Sequence, residues 1–145
     1  MDEKSSEEEI LNVIYKNAHI GLQSISDILP ETEDEDMKRE LTEEYEVYEE
    51  FIGRLRAYMR EKKVEPKEIG PFKKAMIFTG VKVDTLRDDS RSHVAEMMIK
   101  GTVMGITEIG ALLSANIGAP IEVKNFAEEL KTLEEKYEKR LKRLL

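Results

Sequence analysis

Cysteine is absent from this 145-residue chain, which removes disulfides, thiolate metal sites and a cysteine nucleophile at once. Proline is nearly absent too. It occurs only at Pro30, Pro66, Pro71 and Pro120, each where an apolar helical pattern stops or restarts. The only histidines are His19 and His93, and the only glutamine is Gln23. With heavy Glu and Lys use, that composition resembles a heat-adapted one. No apolar stretch approaches the roughly twenty residues that cross a bilayer, and the opening Met1-Asp2-Glu3-Lys4-Ser5-Ser6-Glu7-Glu8-Glu9 is the reverse of a signal peptide's basic start. The expected setting is cytoplasmic, with no membrane partner. Ser-His-Asp signatures, phosphate-cradling glycine loops and nucleotide fingerprints are missing as well, so hydrolase, kinase and dehydrogenase readings have no support.

What is present is charge laid over a regular apolar pattern. Hydrophobic residues make up 40% and charged residues 37%, enough apolar surface for a core beneath a highly charged exterior. The length fits one domain over residues 1–145. A net charge of −8 repels phosphate backbones, and no aromatic platform accompanies the basic clusters. Those clusters, Lys136 to Arg143 and Arg54 to Lys63, fall near predicted helix ends where cations meet the partial negative charge of the carbonyls. Nucleic acid is therefore not an expected partner.

The spacing predicts an all-α fold. Leu11, Ile14, Ala18, Leu22, Ile25 and Leu29 recur every three or four residues, one face of a helix from about Ser5 to Leu29. Ser5 or Ser6 is the expected cap, with Glu8 or Glu9 reaching back. The acidic run Glu31 to Asp36 opens a second helix, whose stripe of Met37, Leu41, Tyr45, Tyr48, Ile52, Leu55 and Met59 runs to about Lys63. A shorter helix is predicted from about Glu68 to Arg87, on Phe72, Met76, Thr79, Val83 and Leu86. Asp88-Asp89-Ser90 reads as a softer break, with Ser90 able to cap a new helix, or as part of one helix running through it. From Arg91 to about Ile117 the sequence is apolar on almost every side, which predicts a helix buried all round. Gly118-Ala119-Pro120 ends it, glycine as the carboxyl-end cap. The last helix carries Phe126, Leu130, Leu133, Tyr137, Leu141 and Leu144. Four long helices result, with the shorter one carrying the chain back along a bundle about 30 Å tall between the second and third.

The segments Asn12 to Pro30, Glu44-Tyr45 and Ser92-His93-Val94-Ala95-Glu96-Met97-Met98-Ile99-Lys100-Gly101-Thr102-Val103-Met104-Gly105, in this order, resemble small uncharacterised bacterial proteins of the ferritin-like superfamily. The resemblance implies a ferritin-like four-helix bundle with a crossover helix between the second and third long helices. The superfamily's dinuclear iron or manganese site uses Glu-x-x-His pairs, and here the residues three before the histidines are Lys16 and Ser90. The resemblance therefore carries no metal site and predicts no cofactor. His93 and Glu96, one turn apart, remain half of a candidate iron or manganese site, with Glu108 and Glu44 as further ligands.

Glu108 stands on an otherwise uncharged face with Met97, Gly101 and Met104, so its carboxylate must be paired, protonated, bound or partly exposed. A hydrogen bond from Tyr45 or Tyr48 is the simplest pairing. Gly101 and Gly105 read as tight packing points, and Met97, Met98 and Met104 as fillers of irregular core space. The surplus of apolar surface from Arg91 to Ile117 points to a non-enzymatic protein that associates with itself or with a partner, a homo-oligomer first. A divergent metal-binding oxidoreductase or metal-storage protein is the alternative. A third reading, resting on the methionines, is an adaptor for a hydrophobic ligand or partner helix; the identity of any small-molecule ligand is not given by the sequence.

Overall fold

The computed structural model describes residues 3–67 and 91–145. The helix predicted at Glu68 to Arg87 and the break at Asp88-Asp89-Ser90 lie outside them. Four long helices make up the described residues: α1 (Glu3–Ile28), α2 (Glu35–Glu61), α3 (Arg91–Ala115) and α4 (Ile121–Lys142). No strand occurs among the described residues.

Local chemistry explains most of the ends. Helix α1 begins at Glu3, so Ser5 and Ser6 sit inside its first turn rather than before it, a correction to the expected cap. A 3-10 turn, Leu29–Glu31, contains Pro30 and closes α1, as proline's missing N–H requires. Asp34 caps α2 by accepting from the Met37 amide at 2.9 Å, with Glu35 and Asp36 in the first turn. At the other end Lys63 adopts φ 60°, and the Val64 amide reaches back to the Met59 carbonyl at 2.8 Å. That six-to-one bond over a left-handed residue is a Schellman termination. Helix α3 ends differently from expectation. No described glycine has positive φ, so Gly118 is not a left-handed cap. Asn116 satisfies the end, its side-chain amide donating to the Leu112 carbonyl at 2.9 Å.

Helices α1 and α2 pack as one hairpin and α3 and α4 as another, and the hairpins stack on each other. Contacts at the ends set the directions. Tyr58 of α2 donates to Glu7 of α1 at 3.4 Å and lies 5.3 Å, ring to ring, from Phe126 of α4. At the far end Arg91 of α3 reaches the Leu144 carbonyl at 3.1 Å and Asp36 of α2 at 3.6 Å. Thus α1 and α4 run one way, α2 and α3 the other, and α2 finishes at the end of the bundle opposite the one where α3 starts.

The core follows the predicted stripes. Leu11, Ile14, Ala18 and Ile25 meet Met37, Leu41, Phe51, Leu55 and Met59, with Ala127, Leu130 and Leu141 from α4. Truncating one of the fully buried leucines to alanine costs about 2–5 kcal/mol.

Helix α3 departs from the expectation of burial all round. Only Val94, Ala95, Met98, Thr102 and Ile109 are buried, while Val103 is 40% and Met104 74% exposed. Met104 therefore does not fill the core. Among the described residues the helix meets neighbours on one side only. By length and composition it is also apolar enough to cross a membrane, which corrects the view that no stretch qualifies. A helix apolar on all faces reads alike whether or not its outer half is covered.

Candidate functional site

Two features stand out, one inside the bundle and one outside. The inner one arises where acids occupy core positions. On α2, Met37, Leu41, Glu44, Tyr48, Leu55 and Met59 share the inward face, and on α4 Val123, Ala127, Leu130, Glu134, Tyr137 and Leu141 do the same. Glu44 is 1% and Glu134 2% exposed. Glutamates there must find partners, take protons, or cost stability.

Glu134 has one partner. The Tyr48 hydroxyl donates to its Oε2 at 3.1 Å, and the Tyr48 ring lies 5.6 Å from that of Tyr137. Two glycines make room for this pair. A Cβ on Gly21 of α1 would stand 2.6 Å from Tyr48 Cζ, and one on Gly105 of α3 would stand 2.7 Å from Glu134 Oε1. Gly105 is therefore a packing point as expected, whereas around Gly101 nothing lies within 4 Å. Burial pushes the Glu134 carboxyl up to about 8, and the nearby charge of Glu108 adds to this against the Tyr48 bond. Burial likewise carries the Tyr48 hydroxyl well above the usual tyrosine range.

Glu44 is held more extremely, pushed up to about 10 by burial and then by Glu40 beside it, with Arg140 opposing. Arg140 of α4 pairs with Glu40 at 2.8 Å and also with Glu43. Those pairs border an open cleft of about 330 Å³ that Asp36, Arg39 and Arg143 complete. Its charges are largely paired among themselves, since Arg39 meets Asp36 at 3.1 Å.

Acceptors outnumber donors in this layer. Glu44 Oε2, Glu134 Oε1, Glu40 Oε2 and Asn17 Oδ1 are buried without a hydrogen-bond partner, as is the Tyr137 hydroxyl. At neutral pH the layer keeps both Glu44 and Glu134 largely protonated, so its chemistry is proton holding.

The structure does not gather the four candidate metal ligands. His93 is half-buried at the start of α3, and Glu96 lies on the surface, paired with Lys100 at 3.6 Å. Glu108 is exposed and accepts from Asn17 Nδ2 at 2.8 Å, so neither Tyr45 nor Tyr48 supplies its hydrogen bond. Only Glu44 points into the core. Among the described residues no three His, Asp or Glu side chains lie close enough to hold a metal. Sequence reasoning missed Asn17, Glu40, Glu134, Tyr137 and Arg140 as members of this layer. A signal existed: Glu134 falls on the three-and-four spacing of Ala127, Leu130, Tyr137 and Leu141.

The outer feature is the face of α3 turned from the bundle. Glu96, Lys100, Val103, Met104, Thr107, Ala111 and Ser114 are all exposed. From Gly101 to Ile121 the single ionisable residue is Glu108, which Asn17 draws toward α1. Beyond the helix end Ile117 is 75% and Ile121 62% exposed. An uncharged surface of this length contrasts with a chain that is 37% charged.

No family model, no curated protein and no solved structure matches the chain.

Proposed function

We propose that this protein is a non-enzymatic helical bundle that works by associating with itself through the outer face of α3. The observation that carries the reading is the exposed, uncharged stretch containing Val103 and Met104. Contiguous apolar surface on an otherwise charged protein marks an interaction site. Net charge of −8 drives copies apart over the rest of the surface, so a neutral face is where two can meet. The bundle is of the ferritin-like type, a reading supported by α2 and α3 running parallel, with α2 ending at one end of the bundle and α3 starting at the other.

Light scattering over a range of concentrations tests the reading. The wild-type chain is expected at a multiple of 16.7 kDa, and Val103→Lys with Met104→Glu at a single chain's mass with its helix content intact. A wild-type protein that stays monomeric at high concentration overturns it.

A second reading, an iron- or manganese-binding oxidoreductase or storage protein, is favoured by the partnerless oxygens of Glu44 and Glu134. Their surroundings do not match a dinuclear site, which needs two inward histidines following glutamates. Elemental analysis of protein purified without chelators tests it. Stoichiometric metal that disappears in Glu44→Gln would establish it over the first.

A further inference from the structure

We infer that the partner on the outer face of α3 is a second copy lying antiparallel, with the twofold axis passing beside Thr107; this rests on the self-association reading. Three features of the face lead there. Large side chains, Val103 and Met104, lie on one side of Thr107, and small ones, Ala111 and Ser114, on the other, all exposed. Antiparallel pairing sets large against small, so the two surfaces interdigitate, whereas parallel pairing sets large on large and leaves the small positions facing a gap.

Charge points the same way. Lys100 and Glu96, joined at 3.6 Å, stand at one end of the face. A parallel pair would bring Lys100 against its own copy, and like charges in direct opposition are destabilising. In the antiparallel pair Lys100 comes to Ser114, and the two charged ends are as far apart as the helix allows. The middle of residues 101–114 falls at Thr107, which places the axis, and the stretch's single charge, Glu108, lies about 100° round the helix from Thr107 and is held toward α1 by Asn17, away from its own copy.

A stable dimer buries about 800 Å² on each partner, roughly a tenth of this chain's 8677 Å². The 25 residues of α3 span about 37 Å, and half-buried Met97 and Ile106 flank the ridge and widen the contact. An isologous pair of this kind closes on itself and ends as a dimer.

Because the chain has no cysteine, single substitutions at these exposed positions give clean cross-linking probes. Thr107→Cys, Val103→Cys and Ala111→Cys are each oxidised mildly, with helix content and mass in solution measured in parallel. Thr107→Cys is expected to form a disulfide dimer alone. Val103→Cys and Ala111→Cys are expected to join each other after mixing and subunit exchange, and not to join themselves, since each lies about 12 Å from its own copy. Self-linking of all three variants would overturn the antiparallel arrangement, and a dimeric mass with no link at any position would overturn the choice of face. A monomeric mass for wild type would instead overturn self-association itself, which keeps the failures distinguishable.

Discussion

Replacing Gly21 with alanine probes the buried carboxyl layer from α1, beside the Tyr48 ring. A Cβ there would stand 2.6 Å from Tyr48 Cζ and 2.9 Å from both Cε1 and the hydroxyl oxygen. A rigid ring cannot swing aside as a flexible chain end does, and Tyr48 is buried with its hydroxyl committed to Glu134 at 3.1 Å. Alanine gains about 1 kcal/mol over glycine inside a helix. Overpacking costs about 1–3 kcal/mol, and stripping Glu134 of its donor costs about 1–3 kcal/mol more. The net loss is about 3 kcal/mol, equivalent for a chain of this size to about 6–12 °C in Tm. Gly53→Ala is the control, because Gly53 is exposed in the middle of α2 with nothing within 4 Å, and it should gain up to about 1 kcal/mol. Urea unfolding followed by circular dichroism measures both. Gly21→Ala as stable as wild type would refute the claim that Tyr48 and Glu134 are held tightly in place.

Both buried glutamates sit above the ordinary carboxyl value, Glu134 at about 8 and Glu44 at about 10, so the folded state holds their protons more tightly than the unfolded chain. The stabilisation is complete below about 4.5 and is lost as pH rises toward those values, by up to about 1.4 kcal/mol per pH unit for each group. Stability should fall from pH 5 to pH 8, Glu134→Gln and Glu44→Gln should each flatten that slope, and a urea midpoint indifferent to pH would contradict this. Arg140→Met should cost about 1–3 kcal/mol at neutral pH by leaving Glu40, 7% exposed, without its charged partner, less than for a fully buried pair because Arg140 is itself partly exposed, measured by the same titration. Asp34→Ala removes the bond to the Met37 amide and should lower stability by about 0.5–2 kcal/mol, seen as a lower thermal midpoint.

Helix positions were the legible part of the sequence. Leu11, Ile14, Ala18 and Ile25 on α1, and Met37, Leu41, Leu55 and Met59 on α2, are buried as their spacing predicts, because an amphipathic stripe has one way to leave water. On α4 the expected stripe was turned slightly: Phe126 and Leu133 are half-buried, while Val123, Ala127 and Glu134 face inward. Glutamate is normally read as an outward residue, which hid Glu134 and Glu40 even though both keep the apolar period. Helix α3 failed for the opposite reason. Its residues are apolar in every direction, and composition alone does not say which faces a neighbour covers. Glu108 illustrates the limit, since its hydrogen bond comes from Asn17, 91 positions away in the chain.

Hydrogen exchange at low and high protein concentration tests the association of two copies most directly, because it locates the covered face without altering any residue. Slower exchange on concentration, confined to peptides from residues 97–117, is the predicted result. Protection that appears elsewhere, or exchange that ignores concentration throughout, would contradict the claim that the outer side of α3 is where this protein meets itself.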